Sequence, residues 1–461
     1  MSINRPHISR RRILKDSVGI AAASLCVGTN SRAFGFESAN ARPRIAVVGC
    51  GIRWDKQVFA PDGRYGVGKE FPKFGDIISV CDVDANRLDR ATGIVKGWLG
   101  KVPVATTDYR KIIDDPKIDV VHISTPDHWH AKIAIEAMLA GKDVYCEKPM
   151  TLTIEEGRRI CDVCQKTGAV FQVGTQQRSS RRFLKAIAMI RDGRIGGLRR
   201  VQCAVGAAPI SPDLPAVQPP KELNWNQWLG PAPLTAYRYK PEAPNIIKSW
   251  SRSHYEFRWW YDYSGGKLTD WGAHHVDIAT WAMDKMDTGP LWIDPVRVEH
   301  PVTFKDGDPT VDNRYNTATK FNIKASYDDG VELIIRHDTD NGILFEGTQG
   351  RIFVNRGKLV GKSVDELAAH PLPDGALEKV YKDRELTNHV ANFFEAVAMR
   401  QQPISDVFSH HRALTTCHLA GIAARLGRKI RWDPKTERVV DDQMAQSLVA
   451  REQRRGFGIE M

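Results

Sequence analysis

The 461-residue chain has no apolar run long enough to span a bilayer. It has no internal repeat and no low-complexity tract, which excludes solenoid and fibrous architectures. It has no block of like charge either. Net charge is +11, but Arg5, Arg10, Arg11, Arg12, Lys15 and Arg32 against Asp16 and Glu37 place +4 in residues 1–41 and leave +7 for the rest. That scattered excess suits an anionic cofactor and lacks the concentrated basic face of a nucleic-acid binder. Of the 8 cysteines, Cys50, Cys81, Cys146 and Cys203 sit in apolar, strand-like contexts as buried thiols. Cys161 and Cys164 form a C-x-x-C pair inside a helical pattern, with no second pair or histidine cluster at zinc spacing, so no metal site is expected.

What is present is ample for a large core: 42% of residues are hydrophobic, and the length exceeds one typical domain. The N-terminus reads as an address. Ser9-Arg10-Arg11-Arg12-Ile13-Leu14-Lys15 precedes a modest apolar run over 18–27, and Ser31-Arg32-Ala33 and Ala39-Asn40-Ala41 offer cleavage sites. Paired arginines before a weak apolar run resemble a twin-arginine export signal. Periplasmic or other export through that machinery is therefore expected, with processing near 33 or 41. Cys26 follows Ser-Leu, which is not a lipoprotein pattern, so no membrane anchor is expected. Twin-arginine export carries folded proteins, which points to a cofactor loaded in the cytoplasm and tightly held.

Residues 42–150 read as a doubly wound parallel sheet, a Rossmann-type α/β domain. Arg44-Ile45-Ala46-Val47-Val48 is a buried-strand pattern followed at once by Gly49-Cys50-Gly51. Glycines there let a pyrophosphate approach backbone N–H groups at a helix start. The third glycine of the fingerprint is replaced by Trp54, and the stretch 54–75 looks like an insertion. A second strand, 77–81, ends in Asp82-Val83-Asp84. Asp82 can accept from the adenosine ribose hydroxyls and would repel a 2′-phosphate, which favours NAD over NADP; its alternative role is to cap the helix over 85–98. A third strand, 120–124, runs into Thr125-Pro126-Asp127-His128-Trp129-His130, where Asp127 can cap the next helix. A fourth, 143–146, delivers Glu147-Lys148-Pro149 to its C-terminal end. Three strand ends thus converge on the edge where open α/β sheets bind ligands.

Together, Val48-Gly49-Cys50-Gly51, Cys81-Asp82-Val83-Asp84, the 124–130 segment and Gly141-Lys142-Asp143-Val144-Tyr145-Cys146-Glu147-Lys148-Pro149 resemble the Gfo/Idh/MocA family of glucose–fructose oxidoreductase and inositol dehydrogenase. The resemblance implies a catalytic Lys148 beside the nicotinamide and a Glu147 that contacts its ribose. It implies a nucleotide site from Gly49, Gly51, Ile52, Asp82, Thr125, Pro126, His128, His130, Glu147, Lys148 and Gln176.

Residues 151–461 read as an open, mostly antiparallel sheet with helices on one face, forming a substrate-binding and oligomerisation domain. Thr153 is placed to cap the helix over 153–167. Two aromatic inserts, 223–233 and 250–263, carry Trp228, Trp259 and Tyr261, whose faces suit the C–H faces of a sugar. Arg178 follows Gln176 in a loop that family members place near the cofactor, and with His275 it is a candidate substrate contact. Asp270 and His274 lie four apart after Gly265-Gly266, one turn apart on a helix, where the carboxylate could orient the imidazole as a base. They match the catalytic Asp-x-x-x-His of the family, with His275 and Asp277 next in rank. The C-terminal helices are read as packing, some of it possible against the first domain.

The reading is an exported NAD(P)-dependent oxidoreductase of a sugar, polyol or sugar derivative, with Lys148, Asp270 and His274 catalytic. It would be a homo-oligomer, dimer or tetramer, through the second sheet. The rivals are an NAD-dependent glycosidase acting by transient oxidation and a non-catalytic sugar-binding or regulatory member of the fold. A Tyr-Pro-Thr-His-Gly segment associated with the first is absent.

Overall fold

The computed structural model describes residues 42–55, 66–245 and 247–459. The stretch read as an export signal, with the cleavage sites expected near 33 and 41, lies outside them, as does the middle of the 54–75 stretch.

Six strands form the first sheet: β1 (Arg44–Val48), β2 (Asp76–Cys81), β3 (Val104–Thr106), β4 (Val120–Ile123), β5 (Asp143–Cys146) and β6 (Phe171–Val173). They run parallel in the order β3-β2-β1-β4-β5-β6. The central strands are mostly apolar, as strands covered on both faces are; β4 and β5 have every residue buried, His122 and Asp143 included. The sheet continues past residue 150, since β6 adds beside β5 after the helix Ile154–Thr167. That helix has its N-terminal N–H groups satisfied by a capping box of Thr153 and Glu156, and Gly168 ends it in the left-handed region. The helix after β2, α1 (Ala85–Leu99), is capped by Asp84 rather than Asp82. The helix after β4, α2 (Asp127–Leu139), starts at Asp127, so that side chain does not cap it; it accepts from Ser264 Oγ at 2.5 Å instead. A single turn follows Gly51, and the next described helix is the 3-10 segment Val67–Lys73. Trp54 fills the space of the missing glycine, fully buried against Trp98.

The second sheet is built from β7 (Leu198–Ala204) and from strands downstream of a small hairpin, β8 (Tyr239–Pro241) with β9 (Ser249–Ser251). These are β10 (Trp292–Glu299), then, past the hairpin β11 (Phe304–Lys305) with β12 (Asp308–Pro309), β13 (Lys320–Ser326), β14 (Glu332–Arg336), β15 (Gly342–Gly347), β16 (Arg351–Val354), β17 (Leu359–Val360), β18 (Ile430–Asp433) and β19 (Arg438–Val440). Their order is β17-β16-β15-β7-β14-β13-β10-β18-β19, antiparallel except where β7 meets β14. Period-two alternation is plain in β13 and β14: Phe321, Ile323, Ala325, Leu333 and Ile335 turn inward while Lys324, Glu332 and Arg336 face out. Helices α3 (Gly272–Ala282) and α4 (Val407–Leu426) pack on the inner face. The outer face of β13 and β14 carries charged side chains. No described helix is long and apolar enough to cross a membrane.

Candidate active site

A cavity of about 500 Å³ lies where the C-terminal ends of β1, β2, β4 and β5 meet the inserts of the second half. Its floor is the glycine loop. Gly49 has φ +88°, and a Cβ there would stand 2.6 Å from the Ser124 carbonyl carbon and the Thr125 nitrogen, so only glycine fits. Gly51 and Ile52 continue the wall. Asp82 also lines the cavity. Its Oδ2 accepts from Cys50 N–H at 2.7 Å and its Oδ1 from Asp84 N–H at 3.0 Å, while burial pushes its carboxyl above the ordinary value.

Thr125 and Pro126 form the next wall. Thr125 Oγ1 is buried with no hydrogen-bond partner, a cost that a bound polar group would relieve. Glu147, 2% exposed, is paired by Arg53 Nε at 2.7 Å and accepts from Gln176 Nε2 at 3.3 Å. Burial would raise its carboxyl, but the Arg53 charge and hydrogen bond hold it below the usual value. A wall with one glycine that admits no side chain, an orphaned hydroxyl and a buried carboxylate fits a nucleotide with ribose hydroxyls.

At the other end stands the reactive constellation. Lys148 Nζ donates to the Asp270 carbonyl at 2.8 Å and to Asp270 Oδ1 at 2.5 Å. Arg258 Nε lies 3.6 Å from the same Oδ1. Burial opposes the charge of Asp270, but Lys148 and Arg258 hold its carboxyl far below the ordinary range. His274 is buried beside them with Nδ1 unpartnered. Burial, then Lys148 and Arg356, push its pKa well down, so the imidazole is neutral near pH 7. The expected Asp270–His274 bond is not formed. The helix breaks at Trp271, between the short helix Lys267–Asp270 and α3, and the Asp270 carboxylate turns to Lys148 instead.

The cavity therefore brings together Gly49, Gly51, Ile52, Asp82, Thr125, Pro126, Glu147, Lys148, Gln176, Trp228, Asp270 and His274. Six other candidates lie off its wall. His128 is buried with Nε2 donating to the Trp228 carbonyl at 3.0 Å. His130 places Nδ1 2.7 Å from the Pro149 carbonyl and Nε2 2.9 Å from that of Thr125, tying two walls together from behind. Arg178 is wholly buried and spent on Asp277, at 2.6 and 2.7 Å; Asp277 also meets His410 Nδ1 at 3.1 Å. His275 Nε2 meets Asn341 Oδ1 at 3.0 Å. Trp259 packs in a separate apolar cluster, and Tyr261 lies beside His300 in a neighbouring cavity. Each of the six is taken up by a partner or by packing. Among the described residues no group of three His, Cys, Asp or Glu could hold a metal ion.

Sequence reasoning missed Arg53, His254, Tyr255, Arg258 and Arg356, all on the wall. Arg53 had a signal, a basic residue two places after Gly51. Arg356 had none, coming from the turn between β16 and β17.

The first insert is sewn to the nucleotide half. Leu223 bridges Asp84 as an antiparallel pair, Ala85 N–H donates to the Glu222 carbonyl and Asn224 N–H to that of Val83, both at 3.0 Å. His254 Nε2 stands 3.5 Å from Asp84 Oδ2. These contacts close the groove over the end of β2.

Comparison with known proteins agrees with this construction. Residues 43–175 match the family model described as "Oxidoreductase family, NAD-binding Rossmann fold", and residues 210–459 match its "C-terminal alpha/beta domain". A levoglucosan dehydrogenase of Pseudarthrobacter phenanthrenivorans is 44% identical over 92 residues, 20% of this chain and 24% of that protein. A glycosyl hydrolase family 109 protein of Shewanella sp. strain ANA-3 is 29% identical over 215 residues, 43% of this chain and 46% of that protein. The chain thus spans less than half the length of these curated relatives. Among solved structures, myo-inositol 2-dehydrogenase from Lactobacillus plantarum superposes with TM-score 0.51 at 19% identity, covering 85% of this chain and 99% of that one. The WlbA dehydrogenase from Bordetella pertussis, solved with NADH and UDP-GlcNAcA, gives 0.54 at 19%, covering 86% and 98%. The two matched models account for most of the sequence, and the chain belongs to the GFO_IDH_MocA oxidoreductase family, with its NAD-binding Rossmann fold followed by its alpha/beta domain.

Proposed function

We propose that this chain oxidises or reduces a CH–OH carbon of a sugar, polyol or sugar derivative with a tightly held NAD, NADP being the second choice. The observation that carries the reading is the Lys148–Asp270 pair beside a buried, neutral His274, at the end of the nucleotide groove. The backbone at Gly49 and Gly51, Thr125 Oγ1, Glu147 and Asp82 would hold the nucleotide. Bound nicotinamide supplies the hydride acceptor for a substrate C–H bond.

The protein's own residues handle the proton. The neutral imidazole of His274 takes the hydroxyl proton as the substrate carbon gives up hydride and C–O becomes C=O. Lys148 has three N–H donors. Two are spent on Asp270, and the third donates to the substrate oxygen, where negative charge develops. Asp270 keeps Lys148 charged and fixed. Arg53 holds Glu147 ionised against Gly174, ready to accept from ribose hydroxyls. In the reverse direction the same groups return the proton.

Export before action would leave no pool of free nucleotide, and the closed groove favours retention. The cycle proposed is therefore ping-pong, one sugar oxidised and a second carbonyl compound reduced on the same cofactor. The charged face of the second sheet is the proposed homo-oligomer surface. The test is to denature protein purified from the exported fraction and identify released nucleotide by mass and absorbance, then to pair sugars as donor and acceptor. Near-stoichiometric NAD or NADP with two-sugar turnover fits the proposal. Protein that is empty and binds no added nucleotide defeats it and leaves a sugar-binding role. Steady one-substrate turnover with added NAD removes the ping-pong cycle alone. The second reading, a glycosidase using transient oxidation, is favoured by the match to glycosyl hydrolase family 109 proteins. NAD-dependent release of nitrophenol from aryl glycosides would select it.

A further inference from the structure

The substrate end of the cavity carries more positive charge than proton transfer requires. Asp270 is one carboxylate, and Lys148, Arg258 and Lys267 are all drawn to it. Lys267 is pushed down by burial, with the like charges of Lys148 and Arg258 adding to the push. Arg53 is matched by Glu147. Arg356 is left over. It lines the cavity with His274, and its guanidinium lies over the Trp271 ring, 4.7 Å from the centroid. No ion pair or hydrogen bond of its side chain occurs among the described residues, and the residue is exposed at the cavity's edge.

An arginine fixed on an aromatic face keeps its fork of N–H donors free, in the geometry that suits a carboxylate or phosphate. Arg258 is positioned similarly. Its guanidinium lies 4.7 Å from the ring centroids of both Tyr255 and Phe257; Nη1 donates to the Tyr255 carbonyl at 2.8 Å, Nε faces Asp270 Oδ1 at 3.6 Å, and Nη2 is left for a ligand. An exposed arginine that meets no carboxylate is free to receive an anion entering the cavity. His274 supports the same assignment. Burial first, then Lys148 and Arg356, oppose its charged form, and an anion held at Arg356 would offset the share those two cations contribute.

Resting on the oxidoreductase reading above, we infer that the substrate is an anionic sugar whose carboxylate or phosphate is received by Arg356 together with Arg258. The reacting hydroxyl is then placed at Lys148 and His274.

The experiment uses the cofactor-loaded protein and three matched ligands: a neutral hexose, its hexuronate and its hexose phosphate. One of the anionic sugars is expected to exceed the neutral parent at least tenfold in kcat/KM. Arg356→Gln should cut the anionic-to-neutral ratio at least tenfold, mainly through KM, and Arg356→Lys should restore part of it. Hexuronate preference identifies a carboxylate, and phosphate preference a phosphate ester. A neutral hexose used as well as both anions, or an unchanged ratio in Arg356→Gln, overturns the inference. Tryptophan fluorescence titration separates the two levels. Anion binding that is lost in Arg356→Gln without any reduced nicotinamide sustains this inference and sinks the redox reading. Turnover of neutral sugar without anion binding does the reverse.

Discussion

Gly174→Ala is the sharpest perturbation the site offers, because it alters no reacting group. Gly174 does not have a positive φ, so alanine fits its backbone. An added Cβ would stand 2.8 Å from the carboxyl carbon and both oxygens of Glu147. Reaching 3.4 Å, the near edge of ordinary contact, requires the carboxylate to retreat by about 0.6 Å. It cannot do so freely, since Arg53 stands at 2.7 Å and Gln176 at 3.3 Å. Overpacking of this kind costs about 1–3 kcal/mol, or roughly 1–3 °C in Tm for a chain of this size. Displacing a carboxylate that holds ribose hydroxyls should weaken nucleotide binding about tenfold, which is about 1.4 kcal/mol. Thermal melts and nucleotide titration measure both. Gly421→Ala, in mid-α4 with nothing within 4 Å of its added Cβ, is the control and should be neutral or stabilising by up to about 1 kcal/mol. Glu147→Asp withdraws the carboxylate by one methylene, so the double variant should lose less stability than the two singles together. A Gly174→Ala protein indistinguishable from the parent in both assays, or strict additivity in the double variant, would refute the reasoning.

Lys148→Met should lower turnover by about 10²–10⁴-fold while bound nucleotide is retained; turnover within fivefold of the parent would remove Lys148 from the chemistry. Asp82→Ala should weaken NAD more than NADP, and unchanged discrimination would defeat the ribose assignment. Acid should destabilise the fold below about pH 6.5. Burial pushes His122, His128 and His418 down to about 3 and His389 to about 4. The unfolded chain takes up these protons near ~6.5 and the native chain does not, so stability is lost as pH falls, by about 2 kcal/mol per histidine at pH 5. A Tm unchanged between pH 7 and pH 5 would contradict this.

The nucleotide half was legible because its signals are local. Val47-Val48-Gly49 states strand and turn within three residues, and Cys146-Glu147-Lys148 puts its chemistry at a strand end. Asp270 and His274 were legible as a pair by spacing, but not by partnership. The true partner of Asp270 is Lys148, 122 residues away, and a charge-assisted bond outcompetes a neighbour one turn along. Arg178 was misread for the same reason, since Asp277 consumes it from 99 residues downstream. Trp228 reached the wall while Trp259 and Tyr261 did not, a difference set by how two long inserts fold over one another. No local pattern encodes that. Arg356 belongs to a turn whose place at the site depends on the whole second sheet.

The stitch between residues 222–224 and 83–85 has a kinetic meaning. Main chain bonded to main chain across a cleft resists opening, because parting the walls there means breaking those bonds. Fraying of that stitch is a local unfolding event with its own rate, and it would widen the exit for a nucleotide held there. Residence time is then governed by the stability of a few backbone bonds near the adenosine end rather than by affinity alone. Where free nucleotide is scarce, that rate sets the working lifetime of each molecule, and it is written in residues far from any atom that reacts.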